Sequence, residues 1–297
     1  MKEATLLHNP KAGDEEHSKK ELIELIEANG YKCRYSSTKK DGWTDFESDV
    51  DLLIVASGDG TVRKMVKELS KRKELEKAPP IAILPLGTAN NIAKTLNIEG
   101  STEEIVKSWE KAKAVKYDIG TLEGVEDYDF FLEAFGFGLF PSFVNIVTKE
   151  KIDNKKTVEE ELLAVLQALH EFIFGFEARK CTLEIDGADY TGEYLLAEVM
   201  NIKSIGSNLQ FAPTADTSDG KLDVILVTEK NKEQLATYVL NKIKGEEKPP
   251  SFQTMKAETV RITWDGTRAH VDDSLIKLTP FTEIRIGVKK GMLKFLV

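Results

Sequence analysis

The first 120 residues alternate between strand and helix patterns, and this alternation limits the fold more than any other feature of the sequence. Apolar runs at residues 4–7, 51–56 and 81–84 are each followed by a turn and then by a helical pattern. A short continuous apolar run is typical of a strand that is covered on both faces. Strands that alternate with helices form parallel sheets flanked by helices. The sequence therefore predicts an α/β domain over residues 1–119.

The rest of the chain, residues 120–297, shows a different pattern. Alternation with period 2 predicts strands, and two segments at residues 158–174 and 232–244 predict helices. The predicted strands are residues 128–135, 180–185, 194–200, 222–227, 260–264 and 284–288. We therefore predict a boundary near Gly120 and a second, mainly β domain built as an antiparallel sandwich. A cleft between two such domains is the expected binding site.

Composition excludes several classes of function. With 41% hydrophobic and 31% charged residues, the chain is expected to form a packed core, and its net charge of −9 disfavours broad nucleic-acid binding. The most apolar helical stretch, residues 162–176, is too short to span a bilayer. We expect a cytoplasmic protein without a transmembrane segment, able to contact a membrane surface transiently and compatible with an oligomer.

Three glycine-containing loops fall at strand-to-helix junctions, at residues 9–13, 57–61 and 87–91. In open α/β sheets ligands bind at the carboxyl ends of the strands, so all three loops can face one ligand. Glycine allows the backbone to approach a phosphate, and a helix N-terminus offers N–H groups and a positive dipole end. Thr61, Thr88 and Asn90 add side-chain donors. Asp59 would repel an anion there unless it faces a magnesium ion or a sugar hydroxyl.

The order of motifs resembles the diacylglycerol kinase catalytic-domain family, which includes bacterial lipid kinases related to sphingosine and ceramide kinases. The matching motifs are Asn-Pro-x-x-Gly at 9–13, Gly-Asp-Gly-Thr at 58–61, Pro-x-Gly-Thr-x-Asn at 85–90 and Ala-Pro…Asp-Gly-x-Leu-Asp at 212–223. The resemblance implies a Rossmann-like (NAD kinase/diacylglycerol kinase-like) N-terminal domain and a β-sandwich C-terminal domain for the lipid substrate. It also implies ATP and Mg²⁺, with transfer of the γ-phosphoryl group to a diacylglycerol-like lipid hydroxyl presented at a membrane surface. The last strand is expected to dock back on the first domain.

The resemblance also assigns site residues. Those expected to contact the nucleotide or its metal are Asn9, Gly58, Asp59, Gly60, Thr61, Gly87, Thr88 and Asn90. Asp219 matches a carboxylate that binds a structural magnesium ion together with backbone carbonyls of its loop. The bland alternative for Asp219 is an aspartate that starts a turn before Gly220. Asp59 and Asp272 are the predicted catalytic carboxylates.

Four positions depart from the family pattern: Ser57 for glycine, Ala12 for serine, Asn91 for aspartate and Ser274 for glutamate. The last pair matters most, because an amide or hydroxyl at neutral pH neither holds a metal well nor accepts a proton well. The register that places Asp272 at the family aspartate is preferred over one that uses Asp265. Asp273 could supply a carboxylate one position early. His270 could act as a substitute base, and the simpler interpretation is a strand histidine with no chemical role.

Three interpretations follow from these patterns. The first is an ATP-dependent lipid kinase, attenuated at Asn91 and Ser274. The second is a nucleotide- or lipid-binding module of the same fold without turnover. The third is a NAD kinase, which also uses Gly-Asp-Gly-Thr but fits the two longer motifs less well. The apolar stretch 134–140 could line an acyl-chain groove, although an ordinary core strand is the simpler interpretation.

Overall fold

A computed structural model describes residues 1–12, 17–147, 158–206, 208–246, 248 and 250–297. The chain divides into two compact units. The first unit comprises residues 1–118 together with 290–297, and the second comprises residues 119–289. The predicted combination of an α/β unit and a mainly β unit is confirmed.

The first unit is built from strands and helices in alternation. Its elements are β1 (Lys2–His8), α1 (Lys19–Ala28), β2 (Tyr31–Ser37), β3 (Leu52–Ser57), α2 (Asp59–Lys71), β4 (Ile81–Pro85), α3 (Asn91–Thr95), α4 (Thr102–Ser108) and the start of β5 (Ala114–Glu123). The strands lie in the order β2-β1-β3-β4 and all these pairs are parallel. All six residues of β3 are buried, as expected of a strand with helices on both faces.

Local sequence signals set the helix ends in this unit. The side chains of Ser18 and Ser101 each accept a hydrogen bond from the backbone N–H three residues on. The residue at that position is a glutamate in both helices, and its carboxylate accepts from the backbone N–H of the serine. Both helices therefore begin with a capping box. Gly30, with φ of 91°, follows α1 in the left-handed conformation that ends many helices.

The second unit contains most of the strands. Its elements are β6 (Phe130–Phe131), β7 (Ala134–Gly138), α5 (Leu139–Val147), α6 (Val158–Gly175), β8 (Arg179–Ile185), β9 (Ala188–Asp189), β10 (Gly192–Tyr194), β11 (Leu196–Met200), β12 (Ser204–Ile205), β13 (Leu209–Gln210), β14 (Leu222–Val227), α7 (Lys232–Ile243), β15 (Gln253–Ala257), β16 (Thr259–Trp264), β17 (Arg268–Val271), β18 (Ser274–Lys277) and the first part of β19 (Ile284–Leu296). Both β5 and β19 contribute residues to the two units.

Two antiparallel sheets form the sandwich of the second unit. One has the order β15-β14-β11-β7-β17-β18, and the other contains β10-β8-β16 and the first residues of β19. Alternate residues of β14 belong to different cores: Val224 and Leu226 pack in the core shared by the two sheets, while Ile225 and Val227 pack with α6 and α7. The period-2 pattern thus separates a sheet-to-sheet core from a sheet-to-helix core.

Some predicted limits were wrong. The predicted strand 128–135 is interrupted between β6 and β7, where the N–H groups of Leu132 and Glu133 donate to the carboxylate of Asp272. The apolar stretch 134–140 is buried throughout, which confirms the core interpretation over an open acyl groove. Within the described part of the chain, no helix has the length and apolar character needed to cross a membrane.

Candidate functional site

The three loops predicted to bind phosphate leave one edge of the parallel sheet in the first unit. His8 at the end of β1 is in register with Ala56, and Ser57 at the end of β3 is in register with Pro85 at the end of β4. The backbone N–H of Asn9 donates to the carbonyl of Ala56 at 3.1 Å, which joins the first loop to β3. Gly13 of the first loop lies outside the described residues.

The second and third loops touch through two glycines. A Cβ on Gly87 would lie 2.4 Å from the Cα of Gly58 and 2.8 Å from Oδ1 of Asn90. Asn90 adopts a left-handed conformation with φ of 52°, accepts from the N–H of Gly87 at 3.0 Å, and donates to the carbonyls of Pro85 and Gly87 at 2.8 and 2.6 Å. The glycines therefore allow close backbone packing, and the Asn90 amide fixes the shape of its own loop.

The carboxylate of Asp59 binds the backbone at the start of α3. Its Oδ2 accepts from the N–H of Asn91 at 2.8 Å, and its Oδ1 accepts from the N–H of Ile92 at 3.2 Å. Two N–H groups at a helix N-terminus stabilise a carboxylate, and this explains how the negative charge of Asp59 is accommodated at an edge predicted to bind phosphate. Asp59 holds the third loop against the second.

The N-terminus of α2 is the element best suited to a phosphate. This helix has thirteen residues, and its N-cap is Gly58, which has no side chain with which to cap the first turn. N–H groups in a first turn have no acceptor within the helix, and they carry the positive end of the helix dipole. Gly60 and Thr61 lie in this turn, and the hydroxyl of Thr61 is 2.7 Å from that of Ser57. Thr88 in the third loop is exposed.

Asp272 lies in the second unit, at the tip of the hairpin formed by β17 and β18. Its Oδ1 accepts from the N–H groups of Leu132, Glu133 and Ala134 at 3.1, 2.8 and 3.3 Å, and its own N–H donates to the carbonyl of Ala134 at 2.8 Å. Asp272 has φ of 53°. These bonds fix the carboxylate and join the hairpin tip to the chain that enters β7.

The next two residues in the chain, Asp273 and Ser274, have different hydrogen-bond partners from Asp272. Asp273 is exposed, and the hydroxyl of Ser274 donates to Oδ1 of Asp273 at 3.2 Å. At the other predicted departure, Asn91 is buried with 3% of its surface exposed. Among Asp272, Asp273 and Ser274, Asp272 is therefore the residue whose side chain accepts from three backbone N–H groups.

A buried ion pair supports the Asp272 hairpin, and the sequence patterns did not reveal it. Glu198 on β11, Gly136 on β7 and His270 on β17 are in register across three strands. His270 Nε2 is 2.8 Å from Oε2 of Glu198, and His270 Nδ1 is 2.9 Å from the carbonyl oxygen of Asp272. Gly136 makes room for this pair, because a Cβ there would lie 1.9 Å from Oε2 of Glu198.

The charge state of His270 follows from this contact. Burial lowers the pKa of the imidazole, but the charge and hydrogen bond of Glu198 and the carbonyl of Asp272 outweigh it, so the pKa of His270 is raised. An imidazolium can donate from both ring nitrogens, which matches one bond to a carboxylate and one to a carbonyl. The available sequence signal was Glu198 itself, a carboxylate in the middle of an apolar strand.

Asp219 lies in the loop before β14, and β11 and β7 separate β14 from β17 in the sheet. Its Oδ2 is 2.9 Å from Nζ of Lys256, which is also 2.9 Å from Oδ2 of Asp223. Within the described ranges, no group of three histidine, cysteine, aspartate or glutamate side chains could hold a metal ion. The ammonium of Lys256 lies between the carboxylates of Asp219 and Asp223.

Known proteins match both units. Residues 3–122 match the family described as the diacylglycerol kinase catalytic domain, and residues 142–288 match the YegS C-terminal NAD kinase beta sandwich-like domain. The chain thus carries a diacylglycerol kinase catalytic domain over residues 3–122. The resemblance of the motifs is thus confirmed. The family model and relatives named diacylglycerol kinase support the prediction of a lipid kinase family, whose members are phosphotransferases.

Individual relatives of the family cover most of the chain. The diacylglycerol kinase of Bacillus subtilis (strain 168) is 26% identical over 303 residues, covering 98% of this chain and 88% of the relative. The diacylglycerol kinase of Staphylococcus carnosus (strain TM300) is 26% identical over 271 residues, with 88% and 85% covered. A crystal structure of a diacylglycerol kinase from Bacillus anthracis str. Sterne superposes with a TM-score of 0.73 at 23% identity, covering 99% of this chain and 96% of that one, and this likeness concerns the fold.

Proposed function

We propose that this chain is an ATP- and Mg²⁺-dependent lipid kinase that transfers the γ-phosphoryl group to the hydroxyl of a diacylglycerol-like lipid at a membrane surface. The observation that carries the proposal is the edge where three strand-to-helix loops meet, with the glycine-capped N-terminus of α2 among them. Phosphoryl transfer depends mainly on positioning and on charge stabilisation, which such an edge can supply. The diacylglycerol kinases among its relatives support the choice of acceptor.

Each group at the edge has a proposed task. The first turn of α2, with Gly58 and Gly60, receives the phosphates through backbone N–H groups. The side chains of Asn9, Thr61 and Thr88 add polar contacts to the nucleotide, while Asp59 and the pair Gly87 and Asn90 keep the loops in place. Magnesium arrives with ATP as part of the substrate and neutralises charge on the phosphates.

Asp272 is the proposed acceptor of the lipid hydroxyl proton. Its carboxylate already accepts three backbone N–H bonds, and bonds of this kind favour the charged form of a carboxylate. A carboxylate stabilised in this way is a weak base, and Ser274 supplies no second one. General-base help contributes about 10²–10⁴-fold in rate, so we propose slow turnover together with competent ATP binding.

The test is an assay with γ-labelled ATP, Mg²⁺ and mixed micelles of single lipids, with NAD as a separate acceptor. We expect label in the diacylglycerol arm. Gly60→Val should abolish ATP binding with an unchanged circular dichroism spectrum, because it places a side chain at the phosphates. Gly175→Val is the matched control, since a Cβ at Gly175 meets no atom within 4 Å.

Restoring the family carboxylates sharpens the same test. Asn91→Asp combined with Ser274→Glu should raise turnover above either single change, because each change restores a carboxylate of the family pattern. Label in NAD alone would move the assignment to a NAD kinase. ATP binding without label in any acceptor, in the wild type and in the double variant, would overturn the kinase proposal and leave a binding module.

A further inference from the structure

Lys256 and Asp223 are direct partners across two antiparallel strands. Asp223 is the second residue of β14, and the register of β14 with β15 places it opposite Lys256. Side chains at directly opposite positions have Cβ atoms about 4.5–5.5 Å apart, so the sheet itself delivers the ammonium to this carboxylate. Asp219 approaches from the loop, where its Oδ1 accepts from the N–H of Lys221 at 2.9 Å.

The environment of Asp223 requires a cation. Its side chain is 2% exposed, and its Oδ1 is buried with no hydrogen-bond partner among the residues described. Burial raises the pKa of the Asp223 carboxyl, and the Lys256 ammonium opposes that rise. Asp216, whose carboxylate accepts two bonds from Ser218, adds another negative charge nearby. A buried carboxylate without a compensating charge is strongly destabilising.

We propose that the Lys256 ammonium takes the place of a divalent cation between Asp219 and Asp223, so that the second unit folds without structural magnesium. Hard cations bind carboxylate oxygens at about 2.0–2.6 Å, which requires the space that Nζ of Lys256 occupies at 2.9 Å from both side chains. A lysine ammonium is a compact point charge with three donors, and two of them meet these two carboxylates.

The register of the strands makes this substitution permanent. Moving Lys256 away from Asp223 by one residue would turn its side chain to the opposite face of the sheet. The pKa of Lys256 is itself raised, because its bonds to Asp219 and Asp223 outweigh the effect of burial. The cation is therefore part of the chain and stays charged at neutral pH.

The test is thermal unfolding without nucleotide, in EDTA and in millimolar MgCl₂ or CaCl₂ at matched ionic strength. The wild type should melt at the same temperature in all three. Lys256→Ala should melt about 6–20 °C lower in EDTA, because it leaves Asp223 uncompensated, and should recover most of that loss in either cation. Lys256→Met is the matched control: it removes the same charge but fills the space, so added cation should not restore it.

Two further measurements keep the proposal open to refutation. Calorimetric titration with CaCl₂ should show binding to Lys256→Ala and none to its double variant with Asp219→Asn. A wild-type melting temperature that rises with magnesium would overturn the proposal even if the variants do not fold. Equal cation responses of Lys256→Ala and Lys256→Met would also overturn it. These readouts use neither ATP nor lipid, so they are independent of the kinase assay.

Discussion

Asp59 in the first unit and Asp272 in the second are both carboxylates bound by backbone N–H groups, yet they are held in different ways. Asp59 accepts from the first residues of a helix 32 and 33 positions away, and it joins two neighbouring loops of one parallel sheet. Asp272 accepts from three residues 138–140 positions away, and a buried ion pair supports its hairpin. The first carboxylate organises an edge of the parallel sheet from local elements, whereas the second depends on distant strands meeting in register.

Gly136→Ala is the change expected to do the most damage to the long-range arrangement. Its new Cβ would lie 1.9 Å from Oε2 of Glu198 and separate that carboxylate from His270. Splitting a buried ion pair costs about 3–5 kcal/mol, so chemical denaturation should show a loss of that size. Gly175→Ala, at an open position, should stay near the wild type. Adding Glu198→Ala should relieve part of the clash, and strictly additive losses would contradict the proposed contact.

Asp272→Ala is expected to have the next largest effect. It leaves the N–H groups of Leu132, Glu133 and Ala134 without their acceptor, at a cost of about 2–4 kcal/mol in the free energy of unfolding. Asp273→Ala, one residue on and exposed, should change stability by less than about 0.5 kcal/mol. Urea titration of the two variants measures the difference, and similar losses would mean that the Asp272 carboxylate is not held as described.

Asp59→Ala should cost less, because only two N–H groups lose an acceptor and both lie at a helix end. We expect about 1–2 kcal/mol, in line with the removal of other helix caps, together with weaker ATP binding as the third loop loosens. Asp59→Asn keeps one acceptor oxygen and should therefore lose only about half as much free energy of unfolding as Asp59→Ala. An unchanged affinity for ATP in Asp59→Ala would show that the bonds of Asp59 to α3 do not contribute to ATP binding.

The smallest effect is a pH dependence confined to the second arrangement. Because the folded-state pKa of His270 is raised above 6.5, its stabilising contribution is complete below that value and is lost as pH rises through the raised pKa. The denaturation midpoint of the wild type should therefore fall between about pH 6 and pH 9 by more than that of Glu198→Gln. Parallel profiles for the two proteins would show that Glu198 does not hold His270 in its charged form.

The contrast between the two arrangements also explains what the sequence could predict. The loops after β1, β3 and β4 are each specified by a contiguous pattern, so the strand edge and the positions of Gly58, Gly87 and Asn90 follow from reading along the chain. The register of β11, β7 and β17 is not written in any one segment, so the meeting of Glu198 with His270 over Gly136 could not be inferred. Lys256 was missed for the same reason, since its partner Asp223 lies 33 positions away on another strand.

Errors in element limits have a similar cause. The predicted strand 128–135 has a continuous pattern, but the carboxylate of Asp272 takes the N–H groups at its centre. Conversely, β19 continues to Leu296, well past the predicted end at residue 288, although Lys289 and Lys290 interrupt its apolar pattern. Tertiary hydrogen bonds decided both outcomes, and periodicity along one segment carries no information about them.

The first unit contains the last eight residues of the chain, and this affects the order in which its parts are synthesised. Phe295 pairs with Ile81 of β4, and Val297 exchanges two backbone hydrogen bonds with Lys113. Residues 290–297 leave the ribosome only after all 171 residues of the second unit, 119–289, have been synthesised. At about 5–20 residues per second, translation delays completion of the parallel sheet of the first unit by roughly 10–35 seconds. During that interval one edge of β4 stays open, and such an edge is a place where a chaperone or another nascent chain can pair.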